Sequence, residues 1–176
     1  ADQPHAAADG AVRLFLHGQI FNHEVSHTNP LDLIYQRYEK QGIHFASGLN
    51  GSFVIVVIDR NENTVLIAND RVTNQPLFLF NDGRTLFFGP EIKSLLVLPS
   101  LKRELNLTAV SDFLTSGHFM QDHTFVQGLE TMASATVLKI TPGGLSSHKY
   151  WHFDIDESVQ DRGLGFYQGE LSGLLG

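Results

Sequence analysis

The sequence predicts an α+β fold in which β-sheets covered on both faces lie between outer helices. Residues 53–58 are apolar at every position, which indicates a strand buried on both faces. Residues 31–41 instead carry apolar side chains at helical spacing, which predicts an amphipathic helix. Because covered sheets and one-sided helices bury their apolar surfaces by stacking, we expect a layered sandwich.

The N-terminal part is predicted to contain one strand and one helix. Residues 1–10 are small and polar, whereas residues 12–16 have the pattern of a strand. Asn29 suits the N-cap of the helix, because its side chain can accept a hydrogen bond from an otherwise free N–H group. Pro30 fits the first helical position and Gly42 the exit, and the apolar face consists of Leu31, Ile34, Tyr35 and Tyr38.

The middle and C-terminal parts are predicted to contain hairpins and two further helices. Residues 64–69 form the antiparallel partner of the strand at 53–58. Asp82 and Gly83 are typical of a tight turn, so they join strands at 76–80 and 85–88. The remaining elements are a short helix at 90–97 ended by Pro99, a helix at 106–116 closed by Gly117, and a hairpin of 136–140 with 145–150.

Chain length and local composition predict one main domain over residues 11–153. A chain of 176 residues is an ordinary single domain. Residues 154–176 are first acidic and then rich in glycine, which predicts a linker or tail leading toward a C-terminal domain.

Composition excludes several classes of function. The chain contains no cysteine, which rules out disulfides, thiol chemistry and Cys-ligated metal sites within it. Its net charge is −7, so binding to nucleic acid is not expected. No apolar run reaches the ~18 residues of a membrane span, and no signal peptide opens the chain. A cytoplasmic protein that contacts no membrane is the expectation.

Several short motifs follow one another in an order typical of one family. They read His-Gly-Gln-Ile-Phe-Asn at 17–22, Leu-Asn-Gly-Ser-Phe at 49–53, Ala-Asn-Asp-Arg at 68–71, Gln-Pro-Leu-Phe at 75–78, Glu-Ile-Lys-Ser-Leu at 91–95 and Lys-Tyr-Trp at 149–151. In this order they resemble segments of class II glutamine amidotransferases, especially the asparagine synthetase family, whose first segment is Asn-Gly-Glu-Ile-Tyr-Asn.

The resemblance implies the four-layer αββα sandwich of N-terminal-nucleophile hydrolases. In that family an N-terminal Cys attacks the side-chain amide of glutamine, and its own α-amino group acts as the base. A backbone N–H and an Asn side chain stabilise the oxyanion. The ammonia passes to a separate synthetase domain that uses ATP and magnesium. The implied partner is therefore a synthetase domain, C-terminal or on another chain, and a homo-oligomer is a further possibility.

The chain departs from the family pattern at the positions that carry catalysis. His17 stands where the oxyanion Asn is expected, although Gly18 is retained, and Asn29 stands near an expected Asp. The family's nucleophile strand would precede the aligned start, so we expect a domain with its N-terminal part missing. No catalytic residue is assigned, and His17, Gly18 and Asn29 are interpreted as a vestigial glutamine site.

Two functions fit this pattern. The first is a catalytically incompetent domain that acts as a scaffold for an ATP-dependent amide-forming domain, in which His17 is a tolerated side chain. The second is a fragment of a working glutaminase domain that supplies ammonia for asparagine synthesis, in which the His17 ring N–H serves as an oxyanion donor. The parent protein would then be a glutamine-hydrolysing ligase.

Two further clusters contain residue types that can bind a metal ion or form a charged network. His23, Glu24 and His27 match the H-E-x-x-H motif of zinc peptidases, but Pro30 follows too soon for the helix which that motif needs. A zinc peptidase that uses this motif is therefore the weaker third alternative, and no metal site is assigned. Asp70, Arg71 and Glu91 are expected to form a buried polar network that organises the fold rather than catalysing a reaction.

Overall fold

The computed structural model describes residues 5–6, 10–22, 29–155 and 160–175. Within them, two antiparallel sheets are combined with helices. The strands are β1 (His5–Ala6), β2 (Val12–Ile20), β3 (Gly51–Asp59), β4 (Thr64–Asn69), β5 (Phe78–Asn81), β6 (Leu86–Gly89), β7 (Leu129–Thr131), β8 (Thr136–Thr141) and β9 (Gly144–Lys149). The α-helices are α1 (Pro30–Gln41), α2 (Ile92–Leu95), α3 (Leu107–Ser116) and α4 (Leu164–Leu175), and a 3₁₀ helix spans Gly42–His44.

The larger sheet has six strands in the order β1-β2-β3-β4-β8-β9. Strand β3 lies inside it and pairs with β2 and β4 along most of its length. Phe53, Ile55 and Val57 are fully buried on one face of β3, and Val54 is buried on the other. The predicted doubly covered strand is confirmed.

Helix α1 covers one face of the larger sheet. Asn29 caps it by accepting a hydrogen bond from the Leu31 N–H, at 3.0 Å. The fully buried Ile34 packs into a cluster with residues of β2, β3 and β4, and Leu31, Tyr35 and Tyr38 pack against that cluster. The helix bounds and the apolar face predicted from the sequence are confirmed.

The smaller sheet has three strands in the order β6-β5-β7 and covers the other face of the larger sheet. Val54 and Ile67 of the larger sheet pack there against Leu77 and Met132. The outer face of the smaller sheet carries Phe80, which packs with the Leu95 side chain of α2 and its neighbours. Helix, sheet, sheet and helix therefore follow one another, which is the predicted α+β sandwich.

Three predicted segments differ from the structure. The strand expected at 12–16 continues to Ile20, so that β2 includes His17 and Gly18. The short helix expected at 90–97 is confined to Ile92–Leu95 and continues as turns toward Pro99. The glycine-rich segment expected as a linker or tail contains α4, whose residues are all exposed. Each glycine costs a helix about 1 kcal/mol relative to alanine, so its composition does not predict a helix. The bounds of the domain and of the linker remain predictions.

Within the described residues, no helix combines the length and the apolar character needed to cross a membrane.

Candidate functional site

His17 and Gly18 lie side by side on β2, opposite Val54 and Phe53 of β3. Gly18 has a φ of +101°, a conformation that residues with a side chain rarely adopt. A Cβ atom at this position would lie 2.0 Å from the carbonyl oxygen of Ser52. The close approach of β3 therefore requires glycine, which explains why Gly18 is present beside an altered neighbour.

A cavity of about 220 Å³ opens between the two sheets next to His17. Its walls are almost entirely apolar, so they provide few partners for a charged ligand. The imidazole of His17 is exposed at this cavity. The lining residues are Phe15, Leu16, His17, Val54, Val56, Leu77, Phe88, Gly89 and Pro90.

The buried carboxylate of Asp70 organises the loop that follows β4. It accepts hydrogen bonds from four backbone N–H groups at 3.0 to 3.2 Å, and these belong to Phe53, Val72, Asn74 and Gln75. One of these donors, Phe53, is the β3 residue directly opposite Gly18. Asp70 thus fixes the loop against the same part of β3 that contacts Gly18.

Ser52 and Gln75 also meet at this end of the site, although they were not predicted as site residues. The Gln75 side-chain amide donates to the Ser52 hydroxyl at 3.2 Å. Both lie in motifs that the sequence contains, at 49–53 and 75–78. Their contact is invisible in the sequence because it joins a strand to a loop 23 residues away.

The predicted polar network is smaller than expected. Arg71 follows Asp70, and its guanidinium lies over the Trp151 ring, 5.4 Å from the centroid. Glu91 is on the surface, where it forms an ion pair of 2.7 Å with the exposed Lys93. The prediction that Glu91 belongs to a buried network is wrong, since it lies at the exposed start of α2, where water can solvate the charge.

Asn29 has a structural role at the start of helix α1. Its side-chain oxygen caps α1, and it does not line the cavity beside His17. The structure brings His17 and Gly18 together and leaves Asn29 in this separate role.

The H-E-x-x-H motif formed by His23, Glu24 and His27 lies outside the described residues. Within the ranges that the structure does describe, no group of three or more His, Cys, Asp or Glu side chains could hold a metal ion.

Comparison with known protein families agrees with the layered fold described above. A family model described as a glutamine amidotransferase domain matches residues 1–151. The chain belongs to this family. Within it, the domain is related to asparagine synthetases and has the predicted class II, N-terminal-nucleophile architecture.

The curated relatives of this amidotransferase domain are much longer proteins. "Asparagine synthetase [glutamine-hydrolyzing] 2" of Bacillus subtilis is 30% identical over 166 residues, covering 85% of this chain and 22% of that protein. "Asparagine synthetase [glutamine-hydrolyzing] 3" of the same organism is 26% identical over 136 residues, covering 77% and 22%. The chain thus spans about a fifth of the length of these relatives.

Solved structures support the fold of the domain. The glutamine phosphoribosylpyrophosphate amidotransferase from B. subtilis, solved with ADP and GMP, superposes with a TM-score of 0.52 at 12% identity. The match covers 85% of this chain and 31% of that chain. At this identity the likeness shows a shared fold.

Tyr150, in the last motif of the amidotransferase match, binds the backbone directly before Asp70. Its hydroxyl donates to the carbonyl of Asn69 at 2.7 Å. Burial raises the pKa of Tyr150, the negative charge of Asp70 raises it further, and Arg71 opposes both. The neutral hydroxyl is therefore retained as a donor at neutral and moderately alkaline pH.

Proposed function

We propose that this domain, with the 176 residues it has here, does not hydrolyse glutamine and is a scaffold that supports ATP-dependent amide formation by a linked synthetase domain. The observation that carries the proposal is the absence of cysteine from all 176 residues. Attack on an unactivated amide needs a strong nucleophile, and the family's chemistry relies on a thiolate. An oxyanion donor has no catalytic use without one.

The surroundings of His17 support the same proposal. The neighbouring cavity is apolar, and the described residues that line it offer no carboxylate for the ammonium group of glutamine. Asn29, which stands near the position of such a carboxylate, is neutral and caps α1. A glutamine held here would lose hydration without gaining charged partners, which opposes binding.

The proposed partner is a synthetase domain on the same or another chain. The named relatives are asparagine synthetases of which this domain covers about a fifth, so their remaining length has room for such a domain. In the proposal, that partner domain binds ATP and magnesium. The whole protein is cytoplasmic, and it forms a homo-oligomer through an open strand edge.

The experiment compares nitrogen donors. The purified chain is incubated with glutamine, and the released ammonia is measured against a buffer blank. The full-length protein from its source cells is then supplied with ATP, magnesium, aspartate as trial acceptor, and either ammonia or glutamine. We expect no ammonia release by the chain, and amide formation by the full-length protein from ammonia alone. Ammonia release by the chain well above the blank would refute the proposal.

The alternative is a working glutaminase whose nucleophile is supplied by an upstream segment, and the greater length of the asparagine synthetase relatives leaves room for one. Intact mass and N-terminal sequencing of the native protein would find a mature N-terminal Cys in that case. The full-length protein would then use glutamine, and His17→Ala would lower this rate while the ammonia-dependent rate stays unchanged. In the scaffold protein the same substitution changes neither rate.

A further inference from the structure

Two histidines that are 104 residues apart in the sequence meet beside the helical layer. His44 ends the 3₁₀ helix, and His148 lies on β9, the last strand at that end of the larger sheet. The Nδ1 atom of His44 lies 3.1 Å from the Nε2 atom of His148. The rings are nearly perpendicular, with centroids 4.5 Å apart, and the contact is a hydrogen bond in which one ring N–H donates to the unprotonated nitrogen of the other ring.

This separation is also close to the one between two nitrogens bound to the same metal ion, which can form once the shared proton has moved to an outward ring nitrogen. Two imidazole nitrogens bound at 2.0–2.1 Å to tetrahedral zinc are about 3.3 Å apart. Two adjacent nitrogens in a square-planar copper site are about 2.9 Å apart. The observed 3.1 Å lies between these values, so the nitrogens need to move apart slightly for zinc and together slightly for copper.

The two side chains are held by rigid parts of the fold. The residue after His44 is Phe45, which is fully buried in the cluster beneath α1, and the His44 carbonyl accepts a turn hydrogen bond from Ser47 at 2.9 Å. On the other side, His148 is paired with the fully buried Val137 of β8. A site on such a scaffold loses little conformational entropy when an ion binds.

The chemistry of the pair selects the class of ion. Neutral imidazole is a good ligand for zinc, copper and nickel, whereas magnesium and calcium prefer oxygen. His44 is exposed, so an ion has access from solvent, and the net charge of −7 favours a cation. The chain has no cysteine to compete for the ion.

We propose that His44 and His148 form a surface binding site for a divalent transition-metal ion, zinc or copper, which ties the 3₁₀ helix to the outer strand β9. His44 binds through Nδ1 and His148 through Nε2, and each ring keeps its proton on the outward nitrogen. Because the described residues hold no group of three or more potential ligands, water completes the coordination. The proposal is independent of glutamine chemistry.

The test uses the tag-free chain, labelled with ¹⁵N, and zinc alone as the probe. We expect one equivalent to shift the ring signals of His44 at Nδ1 and of His148 at Nε2. Saturating zinc should raise the melting temperature by a few degrees, because an ion that binds only the folded state stabilises it. Magnesium at the same concentration should leave it unchanged.

Variants separate this pair from the other histidines. His44→Ala and His148→Ala should each abolish the zinc-dependent rise, whereas the exposed control His152→Ala should retain it. A double His23→Ala/His27→Ala variant should also retain it. Loss of the rise in that double variant, its persistence in His148→Ala, or an equal rise with magnesium would overturn the proposal. If a variant fails to fold, the ring signals of the unaltered chain decide, and unshifted His44 and His148 would overturn it.

Discussion

A close contact with the backbone of the neighbouring strand requires glycine at position 18. The positive φ of Gly18 and the carbonyl of Ser52 on the opposing strand both exclude a side chain. His17, one residue earlier, has no such constraint, because its side chain is exposed. The glycine can therefore persist for packing reasons where its neighbour has changed.

We predict that Gly18→Ala destabilises the domain by at least about 3 kcal/mol, since backbone strain and a backbone clash add together. Urea unfolding followed by circular dichroism measures the change. Gly143→Ala is the matched control, because its added Cβ would lie 3.6 Å from the hydroxyl oxygen of Thr141, at ordinary contact distance. Equal stability of the two variants would contradict the assigned role of Gly18.

Asp70→Asn tests the loop anchor at the same scale. An amide keeps one acceptor oxygen and turns an NH₂ group toward N–H donors, so buried hydrogen bonds are lost. We expect a loss of about 3 kcal/mol in the free energy of unfolding. Asp82→Asn is the control, because Asp82 accepts similar backbone N–H bonds in an exposed turn. A comparable loss in both variants would show that burial of Asp70 is not the cause.

Helix α1 is tied to β3 by a hydrogen bond at the scale of elements. The hydroxyl of Tyr38 donates to the carboxylate of Asp59 at 2.6 Å. The same carboxylate accepts from the N–H groups of Asn61 and Glu62, which close the turn between β3 and β4. One aspartate thus connects the helical layer to the central hairpin.

This tie predicts a loss of stability in alkali. Burial, and then the Asp59 hydrogen bond and charge, raise the pKa of Tyr38 above its ordinary value of 10.0. A pKa raised by folding adds stability below pH 10 that disappears as the pH rises beyond it. Tyr38→Phe should therefore lower the free energy of unfolding near neutrality by about 1–2 kcal/mol and weaken its decline above pH 10.

Urea titrations across the alkaline range, with Tyr35→Phe as control, measure this effect. The Tyr35 hydroxyl donates to Glu39 one turn along the same helix in an exposed hydrogen bond, so losing this bond should change stability less and leave the alkaline decline in place. Identical alkaline profiles for the parent chain and Tyr38→Phe would contradict the prediction.

The elements differ in how far their sequences determine them. Helix α1 has a cap, an apolar face and a glycine exit, so every local signal agrees. Helix α4 has glycines throughout and no buried residue, so its pattern resembles a linker. Helix α2 is short because the chain after it turns toward Pro99, which periodicity does not reveal.

In the molecule as a whole, the two sheets differ in width, with six strands in one and three in the other. The three-stranded sheet lies over part of the six-stranded one, and clefts open on both sides of it, beside His17 and beside Met132. A partner domain, of the kind proposed above, would cover surface of this sort. The length of the curated relatives leaves room for one.

The sequence by itself determined the layered α+β class, most strands and helices, and the ordered motifs of the amidotransferase family. These depend on local periodicity, capping and turn chemistry, which are written in neighbouring residues. Only the tertiary structure decided that four backbone N–H groups bind the Asp70 carboxylate and that Glu91, expected to be buried, is exposed. It alone decided also that Gln75 meets Ser52 and that His44 meets His148. Such contacts join distant segments, and burial depends on the layers stacked above them, which local patterns do not contain.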